Sequence, residues 1–281
     1  MTQASHPGVS LGQVETRRGV LFTEDDPLVL ESGERLAPVE VAYETYGERN
    51  ADGSNAVFIC HALTGDANAA GHHGNPDRPG WWDNIIGPGR PVDTDRFFVV
   101  CPNLLGGCQG TTGPSSIDPA TGRPYGLRFP LFSIADLVTV HRALAAHLEV
   151  PRPLAVMGGS LGGMQALQWA LDHPDDLGAA LIIASSARLT AQNIAFSAVA
   201  RAAIMRDPEF RDGEYHEHGQ PKYGLSLARM IAHITYLSEE AMRAKFGRRF
   251  QDSPGGRGGF DADFQVESYL AHQGESFLNR L

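Results

Sequence analysis

A chain of 281 residues, 42% of them hydrophobic and 20% charged, holds enough apolar material for one large core, or a core with a small appended cap. Its net charge of −10 is spread without a long basic block, which argues against nucleic acid or an anionic membrane as partner and leaves any anionic co-substrate to be met by local donors. No apolar run approaches the ~18–20 residues that cross a bilayer, and the N-terminal run MTQASHPGVSLGQVETRRGV lacks the apolar middle of a signal peptide, so a soluble, cytoplasmic protein is expected.

In chain order, VETRRGVLFT, PLVLESGERLAP and PVEVAYETYGE alternate with period two and predict antiparallel strands, with a turn at Ser32-Gly33-Glu34. AVFIC (56–60) and RFFVVC (96–101) are short apolar runs that end in Gly-containing loops, the mark of buried parallel strands. Cys60 and Cys101 lie in or at the ends of these runs and read as buried, inert thiols. With Cys108 they make an odd count without a CxxC pair, so neither a disulfide framework nor a metal site is expected. Ser133 opens a helix with Asp136 as its capping partner, a weaker one than Glu. Its apolar face runs through Ile134, Leu137, Val138, His141, Leu144, Ala145 and Leu148, and Pro151 and Pro153 stop it. PLAVMGG (153–159), a helix from Leu161 to about Asp172, and the strand ALIIAS (180–185) follow. Strand, helix, strand, helix, strand predicts an α/β fold with a parallel sheet and right-handed crossovers.

After Arg188 the pattern changes. Residues 190–206 and 224–246 have helical periodicity, separated by the polar stretch RDPEFRDGEYHEHGQPK. The breaker SPGGRGG (253–259) precedes a last helical piece, 261–281. The expected organisation is a sheet core over 1–188 and a helical cap over 189–281.

Gly158-Gly159-Ser160-Leu161-Gly162 fits the G-x-S-x-G nucleophile elbow, in which a strained strand-to-helix turn lifts the serine hydroxyl above the sheet. The bare pattern is weak, and a Gly-rich turn without chemistry is the plain alternative. A predicted strand ends at the pattern, however, and a predicted helix begins there. An oxyanion hole needs one N–H from the residue after the serine, Leu161, and one from the loop after an earlier strand. That loop reads His61-Ala62-Leu63-Thr64-Gly65, and Leu63 is the expected second donor. His61 lies upstream of the nucleophile and is expected to shape the loop instead of acting as base.

The runs CHALTGDAN, PGWWDNIIGPGRPVDTDRFFVVCPNLLGGCQGTTGPSS, GGSLGGMQALQWA and GLSLARMIAHITY closely resemble, in that order, the homoserine O-acetyltransferases of methionine biosynthesis. The likeness runs from about residue 15 to the end of the chain. It implies an α/β-hydrolase fold with a helical cap and a ping-pong reaction. In that reaction Ser160 takes an acetyl group from acetyl-CoA, a co-substrate and not a bound cofactor, and the homoserine hydroxyl removes it. Leu63 and Leu161 would form the oxyanion hole; many members carry Met where this chain has Leu161, which matters little to a backbone donor. Arg229, in LARMIAH, falls where the family grips the amino-acid carboxylate, a task suited to a guanidinium fork; by itself it would read as a surface charge. The Gly-rich loop Asn103–Pro114 falls where the family lines the acyl site. A homodimer through the cap helices is implied by the resemblance alone. A succinyl donor, a serine acceptor and simple ester hydrolysis remain alternatives.

In this fold an Asp or Glu and then a His follow the nucleophile on later strands. The histidines after Ser160 are His173, His216, His218, His233 and His272, and none follows a late strand. His216 and His218 flank Glu217 in a polar loop and read as solvated. The chain is therefore expected to stop in or just after the cap, with the last strands, the acid and the base, about 80–100 residues, absent. Ser160 without a base is a poor nucleophile.

Overall fold

The structure, a computed structural model, describes residues 10–216, 218–251 and 263–278. The chain forms two compact units, 1–187 and 188–281.

The first unit is built on a six-stranded sheet. Its strands are β1 (Arg17–Phe22), β2 (Val39–Tyr46), β3 (Ala56–Cys60), β4 (Phe98–Pro102), β5 (Ala155–Gly159) and β6 (Ala180–Ile183). Their spatial order is β1-β2-β4-β3-β5-β6. β1–β2 and β2–β4 pair antiparallel, whereas β4–β3, β3–β5 and β5–β6 pair parallel. The PLVLESGERLAP segment forms the expected antiparallel pair about the Ser32-Gly33-Glu34 turn, Leu28–Val29 with Arg35–Leu36, as a small hairpin separate from the six-stranded sheet.

Every residue of AVFIC is buried because both faces of β3 are covered. Ala56, Phe58 and Cys60 join the core cluster that contains Leu137, Leu144, Val156 and Trp169. Val57 and Ile59 point the other way, into a cluster with Ala69, Ala70, Ile86, Val99 and Met157. This is the two-residue period of a strand expressed as two cores. Helices α1 (Ile134–His147) and α2 (Leu161–Asp172) close the first face. There Phe58 meets the Trp169 ring edge-on at 5.1 Å and the His141 ring at 5.4 Å. Asp136 proves a full capping partner. Its N–H donates to Ser133 Oγ at 3.1 Å and its carboxylate accepts from the Ser133 N–H at 2.8 Å. The other carboxylate oxygen accepts from the Glu31 N–H at 2.9 Å, tying the helix start to the hairpin.

The second unit is helical: α3 (Ala191–Met205), α4 (Lys222–Thr235), α5 (Glu239–Lys245) and α6 (Gln265–Leu278). α4 packs on both α3 and α6. The helical stretch expected over 224–246 is two helices, because Ser238 caps a new one, its Oγ accepting from the Ala241 N–H at 3.1 Å. The SPGGRGG segment and Glu217 lie outside the described residues. Among the described residues no helix is long and apolar enough to cross a membrane.

Candidate active site

Ser160 stands between the last residue of β5 and the first of α2. Its backbone sits at φ 55°, ψ −119°, a conformation that costs a non-glycine residue about 1–3 kcal/mol and persists only where the surroundings hold it. The surroundings do hold it. The Ser160 N–H donates to the Ile183 carbonyl of β6 at 3.0 Å, and its own carbonyl accepts from the Met164 N–H at 3.1 Å and from Ser185 Oγ at 2.7 Å.

The two outer glycines of the motif have a steric reason. A Cβ on Gly162 would lie 1.9 Å from the Cys60 carbonyl oxygen, and one on Gly158 would lie 2.4 Å from Gly162. The elbow is thus pressed against the carboxyl end of β3. Gly158 pairs with Cys60 in the sheet, so Leu161 and Leu63 each follow a paired residue by three positions. The structure brings Ser160, Leu161 and the loop bearing Leu63 to neighbouring strand ends, where open α/β sheets bind their ligands. Neither the Leu63 nor the Leu161 N–H is taken up by a hydrogen bond among the described residues. An acyl-transfer oxyanion requires two such unclaimed backbone donors, and these two lie on loops that leave neighbouring strands.

The loop after β3 is braced by a polar knot that sequence reasoning missed. Glu44 on β2 is fully buried. Its carboxylate accepts from Thr16 Oγ1 at 2.9 Å, Tyr46 OH at 2.8 Å and Asn68 Nδ2 at 3.2 Å, and lies 2.8 Å from His73 Nε2. Tyr46 OH also receives the Ala69 N–H at 2.9 Å. Burial, with the Glu44 carboxylate adding to it, pushes the Tyr46 hydroxyl pKa far up. Burial likewise raises Asp66, in the same loop.

Other residues fall as follows. His61 is buried, with both ring nitrogens engaged by Ala62 and Asn103, and so offers no base to Ser160. His173 caps the far end of α2, some 18 Å along the helix at 1.5 Å per residue. No described residue hydrogen-bonds the Ser160 hydroxyl. Cys60 and Cys101 are buried free thiols with pKa values raised by burial, and Cys108 is exposed. In the second unit, Arg229 lies on α4, its guanidinium over the rings of Phe277 at 5.2 Å and Tyr236 at 5.9 Å. His233 is buried on α4 with Nδ1 2.8 Å from Tyr269 OH. Asn103 and Ser185 are the other site neighbours that sequence reasoning did not single out. Asn103 opens the loop after one apolar strand run and Ser185 closes another, the one signal that could have found them.

A strained serine between a buried parallel strand and a helix is the hallmark of one fold class, and the α/β hydrolase fold family matches residues 55–281. Within that fold the chain belongs to the homoserine O-acyltransferase family. It is 57% identical over 279 residues to a homoserine O-succinyltransferase of Magnetococcus marinus, covering 96% of this chain and 71% of the relative. It is 55% identical over 260 residues to a homoserine O-acetyltransferase of Caulobacter vibrioides, covering 92% and 68%. Among solved structures, the homoserine O-acetyltransferase of Bacillus anthracis superposes with a TM-score of 0.86 at 28% identity, over 96% of this chain and 73% of that one. An esterase superposes at 0.81 and 29%, over 96% and 74%.

Proposed function

We propose that this chain carries the acyl-accepting centre of a homoserine O-acyltransferase, with acetyl-CoA as donor. Ser160 Oγ attacks the thioester carbonyl, the C–S bond breaks, and the serine proton ends on the departing thiol. The homoserine hydroxyl then attacks the seryl ester, and its proton returns to Ser160. In both steps the carbonyl oxygen becomes an oxyanion, stabilised by the Leu63 and Leu161 N–H groups; removing one such donor costs a factor of about 10²–10³ in rate. Arg229 pairs with the homoserine carboxylate, and the helices of the second unit serve as a cap and as the interface of a homodimer.

The observation that carries this reading is the Ser160 backbone at φ 55°, ψ −119°, at a strand end next to that of the loop bearing Leu63. Family membership supplies the acceptor, and relatives of nearly equal identity carry acetyl or succinyl names. The fold also supports ester hydrolysis, as the likeness to an esterase suggests. The test is to incubate the chain with acetyl-CoA or succinyl-CoA and follow the mass of the Ser160 peptide with and without homoserine. Acetylation of Ser160 that is discharged by homoserine, and absent in Ser160→Ala, supports the proposal. An acyl-serine that decays to free acid equally fast with and without homoserine assigns the hydrolase. Arg229→Ala should raise the homoserine KM with little change in kcat.

A further inference from the structure

His61 is 2% exposed, and its ring is held at both ends. Nδ1 lies 2.7 Å from the Ala62 carbonyl oxygen and Nε2 lies 3.2 Å from Asn103 Oδ1. The Ala62 carbonyl also accepts from the Gly65 N–H at 2.9 Å. That carbonyl belongs to the same peptide unit as the Leu63 N–H. In a trans peptide the C=O and N–H point in opposite directions. Holding the Ala62 oxygen back toward His61 and Gly65 therefore holds the Leu63 N–H facing the other way. The glycine at 65 keeps this turn uncrowded: a Cβ there would lie 3.0 Å from His61 Cβ and 3.1 Å from Nδ1, so the ring would have to shift.

The proton on the ring can be placed. Burial pushes the His61 pKa down, with the Ala62 and Asn103 contacts opposing it, so the ring is neutral at pH 7 and has one N–H. Only a proton on Nδ1 serves the Ala62 carbonyl, and Nε2 is then a lone pair. The Asn103 amide nitrogen is buried without a partner. Half a turn of that amide about Cβ–Cγ presents its NH2 to Nε2 and satisfies both groups, whereas the opposite orientation sets two lone pairs against each other. Asn103 is itself anchored to β2, its N–H donating to the Ala42 carbonyl at 2.8 Å.

We propose that His61, kept as the Nδ1–H tautomer by the Asn103 amide, is a positioning residue that aims the Leu63 N–H at the oxyanion formed on Ser160. The proposal rests on the acyl-transfer reading above. It makes the pair the counterpart, on the loop after β3, of the backbone contacts that hold the elbow.

Two measurements on the 281-residue chain test it. Nitrogen-15 NMR of the imidazoles at pH 7, with His61 assigned by its loss in His61→Asn, should show Nδ1 protonated and Nε2 bare. A proton on Nε2, or an imidazolium, overturns the proposal. The second measurement is the rate at which a fluorophosphonate labels Ser160 and the phosphorus-31 shift of the adduct, whose P–O oxygen occupies the oxyanion position. His61→Leu should slow labelling by about 10²-fold and move the shift. His61→Asn, whose amide nitrogen stands where Nδ1 stood, should restore labelling to within about 3-fold of the parent, and Asn103→Leu should fall between. Because no described residue hydrogen-bonds the Ser160 hydroxyl, labelling is judged against the chain's other serines: a parent chain in which Ser160 is labelled no faster than Ser185 overturns the acyl-transfer reading and the purpose of His61 with it. A chain that is labelled with the same rate and shift in His61→Leu overturns the positioning role alone.

Discussion

Two parallel strands of one sheet, β3 and β6, have nearly interchangeable sequences, AVFIC and ALII, and opposite fates. In β3 no residue is more than 5% exposed; in β6 Leu181, Ile182 and Ile183 are each more than 40% exposed. β3 has a partner strand on each side and a packed cluster on each face. β6 pairs only with β5 among the described strands. An apolar β-branched run thus specifies a strand, while its neighbours decide whether the apolar surface leaves water. The functional consequence lies between them. β5 and its elbow are clamped on the β3 side by close backbone packing and on the β6 side by the Ile183 and Ser185 hydrogen bonds to Ser160.

That comparison can be broken most severely at Phe58. Its truncation to alanine removes the ring shared by Trp169 and His141 and should cost about 3–5 kcal/mol in chemical denaturation; a loss below 1 kcal/mol would mean that the two-faced burial of β3 is not what stabilises the sheet. Gly162→Ala attacks the β3–elbow contact. The added methyl would stand 1.9 Å from the Cys60 oxygen, so the elbow must shift, at a cost of about 3 kcal/mol, and fluorophosphonate labelling of Ser160 should fall sharply. Unimpaired labelling would show that the close approach is dispensable.

A third probe uses pH. Burial, opposed by the Gln165 hydrogen bond, lowers the His141 pKa from 6.5 to about 4. Between those values the unfolded chain binds a proton that the folded chain refuses. The neutral ring's contribution is therefore complete above pH 6.5 and is lost as pH falls toward 4, by roughly 3 kcal/mol at most. Denaturation midpoints from pH 7 to 4 should show this slope, and His141→Gln should flatten it; an equally steep variant would assign the slope to other groups. The smallest effect is expected on the open strand, where Ile182→Ala should change stability by no more than about 1 kcal/mol. A loss as large as that of Phe58→Ala would show that β6 is covered in solution.

Much of the fold was legible because its signals are local. The short apolar run of β3, the Ser133–Asp136 capping pair, the helix from Leu161 to Asp172 and the glycines around Ser160 are each written within a few residues, and each element formed where expected. The break at Ser238 was missed because a capping serine inside a helical pattern also reads as an ordinary helix residue. The hairpin at 28–36 was legible from its alternation and the turn at Ser32-Gly33-Glu34, whereas its separation from the six-stranded sheet was not, because alternation alone does not say which strand a segment pairs with.

The sequence by itself determined where strands and helices form and that Ser160 sits at a bend between them, since steric and hydrogen-bonding preferences of adjacent residues decide those features. Only the tertiary structure decided the order β1-β2-β4-β3-β5-β6, the burial of Glu44 and the meeting of His61 with Asn103, which are 42 positions apart. Such meetings depend on which strands become neighbours. That choice is made by packing two apolar faces at once, and it leaves no periodicity in the chain to be read.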